Sequence, residues 1–323
     1  MQLSLSQGDH CNPTVTIDSR GALYAAWQEN ERGVWSIRVS VSTDGIEWSE
    51  PFSVADSNDN QVNPALAAGA LPSGLVALTW QSDAAGNQDI YVATSTDAFD
   101  TSEIVQVTND PMDQIEPAVA VDAEDVVVIL WTDLRNESSD IYGAVSTDGA
   151  WTNVPVVNTE SNQSQVAVAS GGDGLHLAWV DDIGGDTDVF YAASQGLPTS
   201  PLAGIDLIDD ASAANQFNPS LAVTADANGT EVVFACWVDG RNGNADLCLA
   251  EVGDGSSRAN TLVGGEGAES NQYEAALGVG ASGDPYMVWT DDANGMRRVY
   301  CSASQAEPAS STDPRCELSA GQL

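Results

Sequence analysis

The stretch Trp131–Gly149, WTDLRNESSDIYGAVSTDG, carries a skeleton that the chain repeats. A Trp is followed two residues on by an Asp and nine on by a second Asp. An apolar-aromatic pair comes next, and fifteen residues after the Trp a Ser opens Ser-x-Asp-Gly. Counting from Trp80 reaches Asp89, Ile90, Tyr91, Ser95 and Asp97. Trp179 leads to Asp181, Asp188, Val189, Phe190 and Ser194, and Trp237 to Asp239, Asp246, Leu247, Val252 and Asp254. Trp27 keeps Ile37, Ser42 and Asp44, while Trp289 keeps Asp291, Val299, Tyr300 and Ser304. The six copies contain no insertion between the Trp and Ser positions, and a period of about fifty residues marks a repeat architecture.

Each unit reads as four short strands separated by turn signals. In the first they are Thr14–Ile17, Ala22–Gln28, Trp35–Val41 and Phe52–Ala55. The second strand is apolar on both faces, as in Ala77-Leu-Thr-Trp80 and Val233-Phe-Ala-Cys-Trp237. A strand buried on both faces lies between neighbouring sheets, and equal four-stranded units stacked this way build a β-propeller. The expected fold is all-β: one six-bladed domain over residues 1–323. Its blades fall near 13–56, 62–108, 115–158, 164–208, 216–263 and 272–306, with a C-terminal tail at 307–323. Gln-x-x-Pro or a variant precedes each unit, as in Gln61-Val-Asn-Pro64, Gln114-Ile-Glu-Pro117 and Gln216-Phe-Asn-Pro219. Leu3-Ser-Leu-Ser6 leads into His10-Cys-Asn-Pro13 in the same register, so the strand at 2–7 is expected to complete the last blade and remove a free edge.

The chain carries nine basic residues, all Arg, against 48 acidic ones, a formal net charge of −39. Such a charge repels nucleic acid and anionic membranes. A folded chain of this mass exposes on the order of 13,000 Å², which sets net charges roughly 18 Å apart. The Debye length is about 8 Å at physiological salt and about 3 Å at 1 M, so the repulsion is bearable in ordinary salt and negligible in brine. An acidic surface without Lys suits a halophilic source, although a GC-rich genome also favours Arg over Lys. No segment has the roughly twenty apolar residues of a membrane span. The opening MQLSLSQGD lacks a signal-peptide core and reads as what a removed leader leaves, so a secreted or cell-surface location is expected.

Cys236 closes one strand and Cys248 lies in the next; centring that hairpin on Asn242 makes them direct cross-strand neighbours and a candidate disulfide. The alternative is two buried thiols packing as small hydrophobes. Cys301 and Cys316 are a second candidate pair, clipping the tail to the last blade.

Strand direction alternates, so the strand 2–3 loops and the Gln-x-x-Pro crossovers share one face. That face displays Asp133, Asp181, Asp239, Asp291 and Gln61, Gln114, Gln163, Gln216 and Gln272, together with Arg32, Arg135, Arg241 and Arg297. Residues repeated around a ring are expected to join blades rather than to grip one asymmetric ligand. Asp133–Arg135 and Asp239–Arg241 read as loop ion pairs. His10 occupies a Gln slot, and His176, three before Trp179, reads as a core residue.

Ser-Thr-Asp-Gly-Ile-Glu-Trp at 42–48 resembles the Asp-box of bacterial-neuraminidase repeats, with partial copies at Ser95–Asp97 and Ser146–Gly149. The Trp-x-Asp-x-Arg and Asp-Ile-Tyr pattern is similar to the repeats of secreted bacterial sialidase-like propellers. The resemblance implies that fold across nearly the whole chain, with the Asp-box a turn on the face away from the site. For activity it implies three Arg gripping a carboxylate, a Tyr–Glu nucleophile pair and an Asp acid. The Arg-Ile-Pro start is missing here. Tyr273 and Glu274 are adjacent, and in a regular strand they point opposite ways.

These readings lead to a non-catalytic module that binds carbohydrate or protein on the loop-bearing face. The candidate ligand residues are Arg32, Arg135, Arg241, Arg297, Asp181 and His10, and no catalytic residue is assigned. The alternative is an exo-glycosidase or a polysaccharide lyase on the same face. No cofactor is expected. Asp56–Asn60 and Asp181–Asp188 are oxygen-rich enough to hold Ca²⁺ but read as solvated loops, and no Cys/His cluster fits zinc.

Overall fold

The computed structural model describes residues 3, 6–31, 33–55, 57–147, 150–198, 201–202, 206–207, 213–226, 228–252, 261–263, 270–280, 283–292, 297–303 and 316–318. The described chain forms six antiparallel sheets of three or four strands, the sheet complement of a six-bladed β-propeller. The first sheet holds β1 (Asp9–Ile17), β2 (Leu23–Glu31) and β3 (Val34–Ser42). The second holds β4 (Gln61–Ala68), β5 (Val76–Ser82), β6 (Asp89–Ser95) and β7 (Glu103–Gln106). The third holds β8 (Gln114–Val121), β9 (Val127–Asp133), β10 (Asp140–Thr147) and β11 (Ala150–Val157). The fourth holds β12 (Gln163–Gly171), β13 (Gly174–Asp181), β14 (Asp188–Ser194) and β15 (Asp206–Leu207). The fifth holds β16 (Gln216–Ala225), β17 (Glu231–Asp239), β18 (Asp246–Val252) and β19 (Thr261–Val263). The sixth holds β20 (Gln272–Val279), β21 (Pro285–Asp291), β22 (Arg298–Ala303) and β23 (Cys316–Leu318).

The chain divides into two compact units. One comprises Gln2–Val166 with Gln195–Leu202; the other comprises Met1, Ala167–Ser194 and Ala203–Leu323. In the first unit Trp80 packs against Tyr24, Ile37 and Val39 of the preceding sheet, and Trp131 packs against Ile90 and Val92. In the second unit Trp237 packs against Val180 and Val189, and Trp289 against Cys236, Val238 and Leu247. Each of these four Trp side chains therefore reaches into the sheet before its own. A buried Trp removes roughly 150–250 Å² from water, worth on the order of 4–6 kcal/mol before entropy is counted. Cross-strand partners extend these contacts. Trp80 stacks on Tyr91 at 6.1 Å between centroids, Trp179 on Phe190 at 6.1 Å and Trp289 on Tyr300 at 6.0 Å.

Polar stitches join consecutive sheets at the start of their first strands. The N–H of Gln114 donates to Gln88 O at 2.8 Å, Gln163 to Ser139 O at 2.8 Å, Gln216 to Thr187 O at 2.7 Å and Gln272 to Ala245 O at 2.7 Å. The residue before each Gln returns the bond through its side chain. Asp113 Oδ1 accepts Gln88 N–H at 2.8 Å, Asn215 Oδ1 accepts Thr187 N–H at 3.1 Å and Asn271 Oδ1 accepts Ala245 N–H at 3.2 Å. The Gln carboxamides add Ile37 N–H to Gln61 at 3.4 Å, Val189 N–H to Gln216 at 3.1 Å and Leu247 N–H to Gln272 at 2.9 Å. The expectation that repeated polar residues join sheets holds for the Gln series. It does not hold for Asp133 and Asp239, whose carboxylates are taken up within their own loops.

A bulge follows each stitch. Asn12, Asn63, Glu116, Gln165, Asn218 and Glu274 all sit at φ between 51 and 55°. The register shifts around five of these positions, as between Val62 and Ala65. Asn tolerates this left-handed region, and Glu or Gln adopts it only under compulsion. The compulsion is visible at two of them, where Asn63 N–H and Glu116 N–H donate to Gln28 and Gln81 Oε1 at 2.9 and 2.8 Å. Glu274 lies in such a bulge, so strand alternation does not govern Tyr273 and Glu274 as the sequence suggested.

Three expectations are corrected. The first sheet has three strands, because its fourth is reduced to a single bridge between Val39 and Phe52. The outer place of the sixth sheet is held by β23; of the segment at 2–7 expected there, residues 2, 4 and 5 lie outside the described residues. Cys301 and Cys316 are register partners in that ladder. Finally, Cys236 and Cys248 are not bonded to each other. Trp237 stands opposite Cys248 and Cys236 opposite Leu249, one residue away from the register the disulfide needs. A one-residue slip turns a side chain to the other face. Accordingly Cys248 packs towards the fourth sheet and Cys236 towards the sixth.

Two outcomes follow. Gln272→Ala leaves the buried Leu247 N–H without its acceptor, which costs about 1–3 kcal/mol; a urea titration will show a lower midpoint at unchanged slope. Burial pushes the Cys236 thiol up to about 12. Its thiolate fraction at pH 8 is then about one in ten thousand, so native-state alkylation mapped by mass spectrometry will leave Cys236 unmodified until denaturant is added.

Candidate functional site

The loops after the second strands and the starts of the first strands share one end of each sheet. In the third sheet Asp133, wholly buried, organises its loop. Its carboxylate accepts Trp131 Nε1–H at 2.8 Å, Arg135 N–H at 3.0 Å, Arg135 Nε–H at 2.8 Å and Arg135 Nη2–H at 2.6 Å. Arg135 also lies 4.2 Å from the centroid of Tyr142 and 3.9 Å from Asp110. In the fifth sheet Asp239 holds Arg241 the same way, through N–H at 2.8 Å, Nε–H at 2.9 Å and Nη2–H at 2.5 Å. The next residue repeats too, with Asn136 donating to Asp140 at 2.5 Å and Asn242 to Asp246 at 2.8 Å. These arginines are spent on their own loops, as the two-residue spacing indicated. The hydrogen bond to Asp133 raises the Arg135 pKa further above its ordinary value.

The other expected ligand residues make local contacts. Asp181 is buried and accepts Ile183 N–H at 3.0 Å, closing its own turn. Arg297 lies 5.0 Å from the Tyr273 ring centroid. Arg32 lies outside the described residues, as does Asp56 of the proposed Ca²⁺ loop. Among the described residues no three His, Cys, Asp or Glu side chains converge on a point that a metal ion could occupy. At the opposite end of the first sheet, Ser42 Oγ accepts Gly45 N–H at 2.9 Å and Asp44 Oδ1 accepts Ile46 and Glu47 N–H at 2.9 and 2.8 Å. Those backbone donors hold the Asp44 carboxyl below its usual range. This Ser-x-Asp-Gly segment is a self-closed turn.

The first sheet departs from the repeat at three chemistry-bearing positions that share a face. His10 stands in the Gln slot and pairs with Glu29, and Arg38 stands opposite Trp27 where other sheets carry Tyr91, Tyr142, Phe190 or Tyr300. His10 Nε2 lies 3.0 Å from Glu29 Oε2 and 3.0 Å from Ser6 Oγ, while Arg38 Nε donates to Glu29 Oε1 at 3.4 Å. The Glu29 side chain is only 4% exposed. His10 was legible as a candidate. Glu29 and Arg38 were missed, although reading the repeat at the second and eleventh positions after each Trp singles both out.

His176 is buried, as expected of a core residue, and it is also a bridge. Nδ1 lies 2.7 Å from Tyr191 Oη and Nε2 lies 2.7 Å from Glu231 Oε1, tying the fourth sheet to the fifth.

No protein-family model matches the sequence, and no curated protein matches it closely enough to count. Solved structures do resemble it. An α-L-arabinanase from Penicillium chrysogenum, complexed with arabinobiose, aligns over 92% of this chain and 93% of its own at TM-score 0.63 and 17% identity. The GH93 α-L-arabinofuranosidase of Fusarium graminearum aligns over 92% and 93% at TM-score 0.62 and 18% identity. The sialidase Hz136, titled a Hadza microbial sialidase, aligns at TM-score 0.57 and 16% identity; the match covers 87% of this chain and 63% of that one. The chain thus spans less than two thirds of that sialidase's length. At these identities the shared property is the sialidase-like propeller fold.

Two carboxyls at the loop-bearing end are pushed above the ordinary carboxylate range, Asp89 and Asp140, each chiefly by burial. A folded-state pKa raised above the unfolded one contributes stability at low pH that is lost as pH rises through the folded value. Asp140→Asn removes that loss. The variant is expected to gain stability relative to the parent at neutral pH, and the gain should shrink as pH falls through the ordinary carboxylate range. Urea midpoints between pH 4 and 8 measure it.

Proposed function

We propose that this propeller is a secreted or cell-surface carbohydrate-binding module, without sialidase turnover, whose ligand docks at the end bearing the strand 2–3 loops. The observation that carries the reading is the engagement of Arg135 and Arg241 by Asp133 and Asp239 through N–H, Nε and Nη2. A sialic-acid carboxylate requires guanidinium groups presented to one anion. These two have already given their bidentate edge to a buried carboxylate of their own loop. The net charge of −39 further disfavours an anionic ligand. Neutral saccharides fit both constraints, and the arabinobiose bound by two structural neighbours supports that choice of class.

A second reading, a glycoside hydrolase acting on neutral polymers, draws on the same neighbours and on Asp89 and Asp140, whose carboxyls burial pushes upward, the direction a general acid needs. Both side chains are almost completely buried, which favours the binding reading.

Assayed at low and at multimolar salt, the purified protein is expected to leave a fluorogenic sialoside intact and to bind neutral oligosaccharides in calorimetry. Sialoside turnover that is abolished by Arg135→Ala or Arg241→Ala would overturn the reading. Release of sugars from neutral arabino-oligosaccharides would replace it with the hydrolase.

A further inference from the structure

The repeat provides a ruler for departures, and the first sheet departs where chemistry is available. Five sheets open their first strand with Gln, and the backbone N–H of Gln114, Gln163, Gln216 and Gln272 stitches to the preceding sheet. The Gln slot of the first sheet holds His10, whose imidazole bonds to Glu29 and Ser6. A position whose side chain departs from the repeat is where function is expected.

We infer that His10 presents Nδ1 as the hydrogen-bond acceptor of a small site for a neutral saccharide on the first sheet. This rests on the carbohydrate reading above and narrows it to one cavity and one class of contact. The buried Glu29 carboxylate is an acceptor, and Arg38 donates to its other oxygen. In the neutral ring the Glu29 oxygen facing His10 is met by Nε2–H, which places the lone pair on Nδ1. Nδ1 has no hydrogen-bond partner among the described residues. The side chain is 18% exposed and lines a cavity of about 240 Å³ whose other walls include Leu3, Pro13, Ala25, Ala26 and Trp27.

Cys11 completes the lining, its Sγ already accepting from Gln28 Nε2–H; the His10 acceptor among these mostly apolar walls selects a ligand with a hydroxyl on one edge and a C–H face for the indole. A sugar ring has both. The volume lies below the roughly 300–1,000 Å³ of sites for drug-sized ligands, which fits a single ring. The arrangement is not a nucleophile triad. Ser6 and Glu29 share Nε2, whereas a triad requires the acid and the hydroxyl on different ring nitrogens.

The chain has two histidines, His10 and His176, so ¹⁵N-histidine NMR of the intact protein resolves both. His10 is expected as the Nε2–H tautomer. Titration with arabinobiose, xylobiose, cellobiose and mannobiose is expected to shift His10 Nδ1 and leave His176 unmoved for whichever sugar binds by calorimetry. His10→Ala is expected to weaken that binding at least tenfold with the thermal melt retained. An Nδ1–H tautomer, or a bound neutral sugar that moves neither His10 Nδ1 nor the His10→Ala affinity, would overturn this site and leave the carbohydrate reading standing. Binding of none of these sugars, or of 3′-sialyllactose alone, would overturn both.

Discussion

The structure depends on a polar stitch, made where one sheet ends and the next begins. An Asn-Gln or Asp-Gln pair receives and returns main-chain hydrogen bonds with the eighth residue after the preceding Trp. Asp113-Gln114 against Gln88, Asn215-Gln216 against Thr187 and Asn271-Gln272 against Ala245 all follow this pattern. Buried main-chain groups at a sheet end must find partners. Because the partner lies in the neighbouring sheet, satisfying them also sets the spacing between sheets. The Trp that reaches into the preceding sheet can pack only once that spacing holds.

The loop-bearing end is therefore crowded with structural commitments before any ligand is considered. Asp133 and Asp239 each hold an Arg, and Asp140 and Asp246 each hold an Asn. An acidic chain with few cations has spent two of them on its own buried carboxylates. Breaking either pair strands a charge in the interior, a cost far larger than any surface ion pair returns. Under the proposed reading, recognition rests on uncharged contact around His10 and Trp27 of the first sheet.

The same economy explains why the first sheet differs. Its second-strand Glu29 is one methylene longer than the Asp that the last four sheets carry there, which lets it reach both His10 and Arg38 instead of closing on its own loop. Arg38 in turn replaces the ring that in four other sheets stacks on the Trp, as Tyr91 does on Trp80. Three substitutions thus convert a packing position into a polar network beside a cavity.

By itself the sequence determined what recurs along the chain. The invariant Trp-to-Ser spacing, the second strands apolar on both faces and the Gln-x-x-Pro crossovers follow from local periodicity, so six sheets, the loop-bearing end and the self-paired Asp133–Arg135 and Asp239–Arg241 loops were all legible. Only the tertiary structure decided what depends on register and on contacts between strands. It placed Cys236 opposite Leu249 and so on the other face from Cys248, assigned Cys316–Leu318 to the sixth sheet, and brought Glu29 and Arg38 to His10. A hairpin centre can shift by one residue without any change in its apolar pattern. The side chains still alternate, and only packing against the neighbouring sheets selects which face each one takes.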